Sequence, residues 1–227
     1  MSGALISRER LLEVYGSLET MHAWRGWHWW PDADPFEVIV GAILVQNTAW
    51  TNVERALSRL READVLAPAA MAALADSTLE ELVRPSGQYR QKARKLRAFL
   101  ALSEASGGLD QLLALPPDEL RRVLLATWGI GPETADCVVV YAARQPAFVV
   151  DAYTARVFSR LGLGPGETAG YDAWQALFTT HLEPDRDFWA RYHALVVMHA
   201  KHLCRKSRPL CSECSLRDVC LWPGAAG

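Results

Sequence analysis

Apolar residues recur at helical spacing along nearly the whole chain, and this pattern predicts helices rather than strands. We predict roughly nine or ten helices with short connections, in the stretches 8–24, 34–60, 69–85, 88–105, 116–128, 132–144, 151–162, 172–182 and 187–204. Only Pro-Ala-Phe-Val-Val at 146–150 has the character of a strand, and one isolated strand cannot build a sheet. The hydrophobic pattern therefore predicts an all-α architecture.

Local signals predict where several of these helices begin and end. Asp34 followed by Pro35 predicts an N-cap and a proline in the first turn of a helix. The pair Gly107-Gly108 predicts the end of the preceding helix, since glycine commonly follows the last helical residue.

Composition and charge limit the classes of protein to consider. The chain has 227 residues, half of them hydrophobic, and a formal net charge of −2. No apolar run approaches the roughly 18 residues of a membrane span, and the N-terminal segment lacks the regions of a signal peptide. We therefore predict a cytoplasmic protein without a membrane partner. Basic patches at 90–97 and 201–208 are either solvated faces or local binding surfaces.

The five cysteines are unevenly spread. Cys137 stands alone as a buried or spare thiol, and an odd number without an export signal argues against a disulfide framework. Four thiolates that converge on one centre fit either tetrahedral zinc or an iron–sulfur cubane, and the spacing leaves both open. These four lie within the last 24 residues, at Cys204, Cys211, Cys214 and Cys220.

A glycine turn joins two predicted helices in the stretch WGIGPETAD, 128–136. Glycines permit positive φ and close approach, so N–H groups of the turn and of the next helix can point outward towards a phosphate oxygen. We expect Ile130 to pack inward beneath the turn. The alternative is an ordinary corner between helices, with Glu133 as a solvated acid near a helix start.

Asp151 and a group of tryptophans are further candidates for chemistry. Asp151 opens the predicted helix at 151–162, and with Thr154 three residues later it has the pattern of an N-cap. It could instead be a catalytic carboxylate. Nine tryptophans are many for this length, and four fall in WRGWHWWPD at 24–32. They either pack a core or provide flat faces that line a binding pocket.

These motifs together resemble one family. The cysteine spacing of six, two and five residues resembles the [4Fe-4S] loop of endonuclease III, in the helix-hairpin-helix DNA glycosylase superfamily. The glycine turn resembles that superfamily's Leu-Pro-Gly-Val-Gly hairpin, with Thr127-Trp128 in place of Leu-Pro. Val149-Val150-Asp151 matches its valine-aspartate pair at the start of a helix. The resemblance covers 30–220 almost continuously.

The resemblance implies a two-lobed, all-α helix-hairpin-helix glycosylase fold with a C-terminal cluster loop and a base site in the cleft between the lobes. The first domain would span 32–143 and carry the hairpin. The second would be discontinuous, formed by 1–31 plus 144–227, and would carry the cluster loop at 204–220.

The resemblance also implies roles for Asp151 and the hairpin. Asp151 would be the catalytic acid, whose carboxylate stabilises the positive charge that develops on the deoxyribose as the glycosidic bond lengthens. The hairpin would bind DNA phosphate, and it could also hold a monovalent cation. The implied hairpin contacts are Gly129, Ile130, Gly131 and Thr134.

For the cysteine loop, the resemblance implies a [4Fe-4S] cluster held by the four clustered cysteines, with zinc as the alternative. Arg205, Lys206 and Arg208 of the same loop would contact DNA phosphate. Gln46 and Gln88 lie where the superfamily has polar wedges that fill the space of the flipped nucleotide.

Glu133 separates the chain from endonuclease III itself, which has a catalytic lysine at the matching position. A carboxylate cannot form the Schiff base that cleaves an abasic strand, and 123–143 contains no lysine or arginine. The stretch WHWWPDADPFEVIVGAILVQNTAW resembles instead the 3-methyladenine DNA glycosylase III group, which has glutamate at this position but often lacks the cysteine cluster. The implied base pocket consists of Trp29, Trp30, Pro31, Trp50 and Glu133.

The sequence therefore predicts a base-excision-repair DNA glycosylase that acts as a monomer on double-stranded DNA containing a damaged base. We predict a monofunctional enzyme that hydrolyses the N-glycosidic bond of an alkylated purine such as 3-methyladenine. Two alternatives stay open. One is an endonuclease III-like glycosylase for oxidised pyrimidines with weak or no strand cleavage, and the other is a non-catalytic protein that binds DNA lesions. The predicted location is the cytoplasm, in association with the nucleoid.

Overall fold

The structure is a computed structural model that describes residues 6–22, 34–166 and 168–225. These residues form twelve α-helices and no strand, which confirms the predicted all-α class. The helices are α1 (Arg8–His22), α2 (Pro35–Leu44), α3 (Trp50–Glu62), α4 (Pro68–Ala72), α5 (Asp76–Val83), α6 (Tyr89–Ala105), α7 (Leu109–Leu113), α8 (Pro117–Leu125), α9 (Pro132–Cys137), α10 (Ala152–Arg160), α11 (Tyr171–Thr179) and α12 (Arg186–His202).

The chain divides into two compact units. One comprises Met1–Trp29 and Phe148–Gly227, and its described residues include α1 and α10 to α12. The other comprises Trp30–Ala147 and contains α2 to α9. Among the described residues, no helix has both the length and the apolar character needed to cross a membrane.

Aromatic packing dominates the core of the unit that contains α1. Phe148 and Phe178 stack with ring centroids 3.8 Å apart, and Phe158 meets Phe178 edge-on at 4.9 Å. The Tyr192 hydroxyl donates to the Leu11 carbonyl at 2.7 Å, which ties α12 to α1. Each large side chain buried in this way contributes about 1.5–3 kcal/mol through the hydrophobic effect.

Helix α2 is the central element of the other unit, and it is apolar apart from Glu37 in its first turn. Its residues from Val38 to Leu44 are all buried, and it packs against α3, α6, α9 and the helical turns that follow α9. Asp34 caps this helix, because its Oδ1 accepts a hydrogen bond from the Phe36 N–H at 2.8 Å. The predicted cap and first-turn proline are therefore confirmed.

Three predicted helical stretches differ from the structure. The stretch 34–60 is two helices, because Asn47 lies in the left-handed region with φ of 57° and interrupts the hydrogen bonding. The stretch 69–85 is also two helices, separated between Ala72 and Asp76. After α9, residues 138–142 continue as a widened π-helical turn, in which the Ala143 N–H donates to the Val138 carbonyl at 2.9 Å.

Candidate functional site

The two glycines of the hairpin between α8 and α9 have different structural roles. Gly129 has φ of 84°, in the left-handed region, whereas Gly131 has φ of −96°. A Cβ atom at Gly129 would lie 2.4 Å from Lys95 Cγ, so the Lys95 stem packs directly against bare backbone. A Cβ atom at Gly131 would have no heavy atom within 4 Å. Gly129 is therefore required by the turn, whereas Gly131 leaves the start of α9 open.

Gln46 braces this hairpin from the turn between α2 and α3. Its Nε2 donates to the Thr134 hydroxyl at 2.9 Å and to the Gly129 carbonyl oxygen at 3.3 Å. Its Oε1 accepts a hydrogen bond from Lys95 Nζ. Thr134 is buried. The predicted roles of Gln46 as a wedge and of Thr134 as a DNA contact stay predictions. Lys95 belongs to the basic patch at 90–97, but sequence patterns did not indicate its contact with the hairpin.

Ile130 and Glu133, two further residues of the hairpin, face in opposite directions. Ile130 is buried and packs inward, and its N–H donates to the Thr127 carbonyl at 3.2 Å. Glu133 is exposed in the first turn of α9, and the N-cap residue Gly131 makes no side-chain capping hydrogen bond. The start of α9 therefore presents the unobstructed backbone of Gly131 and the solvent-facing carboxylate of Glu133. The predicted monovalent cation stays a prediction.

We expect the two hairpin glycines to respond differently to alanine. Gly129→Ala should lower the free energy of unfolding by about 1–3 kcal/mol, because it adds left-handed strain and a contact with Lys95. Gly131→Ala should leave stability unchanged but weaken DNA binding, because its methyl group occupies the space through which a phosphate would approach. Thermal unfolding and DNA titration of both variants measure the two effects. Full DNA affinity in Gly131→Ala would argue against a phosphate site at this turn.

Of the other predicted pocket and wedge residues, the structure describes Trp50 and Gln88, which lie at the starts of two different helices. Trp50 begins α3, and its indole Nε1 donates to Glu54 Oε1 at 2.9 Å. Gln88 is the exposed N-cap residue of α6, with φ of 45°. Trp29, Trp30 and Pro31 lie outside the described residues. The pocket as a whole therefore stays a prediction.

Asp151 lies in the unit that contains α1, at the N-cap of α10. Its Oδ1 accepts hydrogen bonds from the Thr154 N–H at 2.7 Å and from the Thr154 hydroxyl at 2.9 Å. Its Oδ2 lies 3.5 Å from Nε2 of His193, a buried residue of α12. One oxygen therefore caps the helix, as its sequence pattern predicts, while the other meets a histidine that sequence patterns did not indicate.

The surroundings of Asp151 favour its ionised form. Burial alone raises the pKa of this carboxyl group, but His193 and the hydrogen bonds from Thr154 outweigh burial, and the net pKa lies below the usual value. Asp151 is therefore a carboxylate at neutral pH. A charge in such partly desolvated surroundings interacts more strongly with a nearby positive charge than it would in water.

The four clustered cysteines line a single pocket at the C-terminal end of α12. All five cysteines of the chain are free thiols. Burial raises the pKa of Cys214 and of Cys220, so these thiols are protonated at neutral pH in the absence of a cation. In the described part of the chain, no three His, Cys, Asp or Glu side chains are placed so as to hold one metal ion. The cluster and its ligands stay predictions.

Arg160, a residue that sequence patterns did not indicate, organises this loop. Its Nη1 donates to Cys204 Sγ at 3.3 Å and to the Arg205 carbonyl at 2.8 Å, and its Nη2 donates to the Lys206 carbonyl at 3.1 Å. The guanidinium also lies over the Trp222 ring, 4.4 Å from its centroid. Arg160 is buried, and its hydrogen bonds to the carbonyls of Arg205 and Lys206 hold the backbone of the cysteine loop in place.

The predicted DNA contacts of the loop are solvent-facing. Arg205, Lys206 and Arg208 are all exposed, and Arg208 lies in the left-handed region with φ of 54°. The charged ends of these side chains are therefore accessible to an anionic partner, while the backbone that carries two of them is held by Arg160.

Comparison with known proteins identifies the family. The HhH-GPD superfamily base excision DNA repair model matches residues 40–179. A protein of Methanocaldococcus jannaschii, provisionally named a DNA repair glycosylase, is 42% identical over 197 residues, which cover 86% of this chain and 89% of that protein. Endonuclease III of Thermotoga maritima is 31% identical over 195 residues, which cover 83% of this chain and 84% of that protein.

Solved structures agree with this. The 3-methyladenine DNA glycosylase MagIII of H. pylori, bound to 1,N6-ethenoadenine, has a TM-score of 0.67 and 30% identity over 87% of this chain and 98% of its own. A trapped endonuclease III–DNA covalent intermediate has a TM-score of 0.78 over 95% of this chain and 96% of its own, and at 24% identity it supports the fold alone. The chain belongs to the HhH-GPD superfamily of base excision DNA repair proteins, and its enzyme class is DNA glycosylase.

Proposed function

We propose that this glycosylase is monofunctional and hydrolyses the N-glycosidic bond of an alkylated purine, such as 3-methyladenine, in double-stranded DNA. The observation that carries the proposal is Glu133. It stands exposed in the first turn of α9, where the hairpin of endonuclease III carries its catalytic lysine. A carboxylate cannot form a Schiff base with an abasic site, so water is the nucleophile that remains.

The similarity to MagIII supports the choice of substrate. That protein is 30% identical to this chain and was solved with 1,N6-ethenoadenine, an alkylated purine. A purine methylated on N3, as in 3-methyladenine, is positively charged while attached to the sugar, and it leaves as a neutral base. Little acid assistance is therefore needed. Its charge also favours stacking on an indole such as that of Trp50, with a cation–π contribution of about 1–2 kcal/mol when the pair is desolvated.

Asp151 supplies the electrostatic part of the mechanism. As the bond between the base and C1′ lengthens, positive charge develops on the sugar, and the ionised carboxylate stabilises it. Water then adds to C1′ and loses a proton, while the bonding electrons leave with the base. The Thr154 hydrogen bonds and His193 hold the carboxylate in its charged form and in one orientation.

The hairpin and the cysteine loop bind the DNA backbone in this proposal. Bare backbone around Gly131 receives a phosphate oxygen. Arg205, Lys206 and Arg208 contact further phosphates, which gives affinity without reading sequence. The overall charge of −2 makes such local patches necessary.

A [4Fe-4S] cluster fits the cysteine loop. The donor set has the right chemistry, since four cysteines line one pocket and Arg160 donates a hydrogen bond to one sulfur atom. The cationic guanidinium of Arg160 also offsets the negative charge of a thiolate-bound cluster. The ligands would be Cys204, Cys211, Cys214 and Cys220, and the cluster would stabilise the loop without taking part in base release.

A second candidate function is excision of oxidised pyrimidines with strand cleavage. The endonuclease III of Thermotoga maritima, 31% identical to this chain, favours it. So does Lys95, whose stem packs against Gly129 and whose Nζ binds Gln46, because it provides an amine next to the hairpin from another helix. This amine would have to leave Gln46 before it could attack a sugar.

A panel of damaged duplexes tests the proposal. The purified protein is incubated with matched duplexes that contain a methylated purine, 1,N6-ethenoadenine or thymine glycol, and the free base is quantified. We expect release of the alkylated purines only. Release of thymine glycol would support the second candidate. Binding to all three duplexes without release of any base would identify a protein that senses lesions without catalysis.

A further inference from the structure

We propose that Lys92 is a positioning residue: its buried ammonium group fixes the loop that presents Gln88 to DNA. The inference rests on the proposed function, because it gives Gln88 the role of a wedge. Lys92 lies on α6 with only 2% of its surface exposed, and its Nζ donates a hydrogen bond to the carbonyl oxygen of Ser86. Its backbone N–H donates to the carbonyl of Gln88 at 3.0 Å. The second bond is the first backbone hydrogen bond of α6, so it is the Lys92 side chain that links this helix to Ser86, the residue before the Gly87-Gln88 turn.

The loop itself has an unfavourable backbone conformation that requires such support. Gly87 has φ of 68°, and Gln88 follows in the left-handed helical region with φ of 45° and ψ of 33°, so two consecutive residues have positive φ. Gln88 has a side chain, and a residue other than glycine adopts this conformation only where its surroundings impose it. The result is an exposed amide side chain at the tip of a fixed turn.

Hydrogen bonds of buried polar groups hold this turn in place. The Ser86 hydroxyl, also buried, donates to the Val83 carbonyl at 2.7 Å, and the Gly87 N–H donates to the Arg84 carbonyl at 3.1 Å. Lys92 completes this set, because it satisfies the Ser86 carbonyl at the end of the 3₁₀ turn Arg84–Ser86. Without its ammonium group, a buried carbonyl oxygen would lose its partner, and the turn would lose its link to α6.

A charge at this position is not explained by stability alone. Burial, together with nearby Lys95, lowers the pKa of Lys92 to about 8, so the group is still mainly protonated at neutral pH and its burial is costly. An apolar residue of similar length would fill the same volume without that cost. An apolar side chain could not donate a hydrogen bond to the Ser86 carbonyl, so the charged group has the function of holding the turn in its geometry.

A double-mutant cycle tests the inference. The variants are Lys92→Met, which keeps the length of the aliphatic stem and removes the ammonium group, Gln88→Ala, and the double variant. Single-turnover release of 1,N6-ethenoadenine should fall about 10- to 100-fold in each single variant, and the double variant should be no slower than the slower single one. Multiplicative losses would contradict the inference, because they would mean that the two residues act independently.

Leu96→Ala is the matched control for a structural effect. Leu96 is buried one turn further along α6, and its truncation should lower the melting temperature without slowing base release beyond the loss of folded protein. If Lys92→Met behaves like this control, with a lower melting temperature and an unchanged rate, Lys92 is only structural and the inference is wrong.

Hydrogen exchange on the free protein separates failure of the inference from failure of the proposed function. Lys92→Met should speed exchange of the amides at 87–89, whereas Gln88→Ala and Leu96→Ala should not. If the wild type releases no base but exchange at 87–89 responds in this way, the proposed function fails while Lys92 still fixes the loop. Unchanged exchange in Lys92→Met would overturn the inference whatever the substrate.

Discussion

Replacing Asp151 with asparagine is expected to slow base release by at least about 100- to 1,000-fold while leaving DNA affinity intact. The amide has the shape of the carboxyl group but cannot carry the negative charge that stabilises the sugar cation. Asparagine is as good an N-cap as aspartate, so the hydrogen bonds from Thr154 to this position can be kept. Single-turnover base release, DNA titration and thermal unfolding measure the three consequences separately.

Asp185→Asn is the matched control, because Asp185 caps α12 in the same way. Its Oδ1 accepts a hydrogen bond from the Phe188 N–H at 2.9 Å, and the residue is exposed. We expect this variant to release bases at the wild-type rate. Undiminished base release by Asp151→Asn would contradict the catalytic assignment and leave Asp151 as a helix cap alone.

Removal of one of the proposed cysteine ligands is expected to have the second large effect. Cys214→Ser should lower the iron and sulfide content from about four of each per chain and weaken the absorption of the cluster. It should also lower the melting temperature by about 10 °C, because loss of a structural centre removes several kcal/mol. The exposed basic residues Arg205 and Lys206 share this loop, so DNA affinity should fall as well. Metal analysis, absorbance and DNA titration measure these outcomes.

Cys137→Ala is the control for this experiment. Cys137 is a buried residue of the unit that contains the hairpin, outside the cysteine loop. Its replacement should leave iron content and absorbance unchanged. A colourless wild-type protein that contains zinc would show that the loop holds a single metal ion, and full iron content in Cys214→Ser would remove this cysteine from the ligand set.

Features set by neighbouring residues could be predicted from the sequence. The caps at Asp34 and Asp151 depend on partners two and three residues away, and both are present. The all-α class follows from the spacing of apolar residues, which each helix carries within itself. Breaks inside apolar stretches were harder to predict, because a single residue in the left-handed region, Asn47, divides a pattern that otherwise stays helical.

Groups that act across the fold could not be predicted in this way. His193 meets Asp151 from another helix, Arg160 holds the backbone of the cysteine loop, and Lys95 packs on the hairpin. Each is an ordinary helical residue in the sequence, and only tertiary packing brings it to its partner. The sequence also could not distinguish the two hairpin glycines. Both belong to one Gly-Ile-Gly pattern, but only Gly129 has the positive φ that favours glycine.

The central claim is that this glycosylase releases an alkylated base by hydrolysis and leaves the DNA strand intact. The most direct test follows one end-labelled duplex with a single 1,N6-ethenoadenine, analysed with and without alkali, and with borohydride added to a parallel reaction. We predict strand breaks only after alkali and no trapped protein–DNA adduct. Breaks without alkali, together with a borohydride-trapped adduct that Lys95→Met abolishes, would contradict the claim and assign strand cleavage to the lysine beside the hairpin.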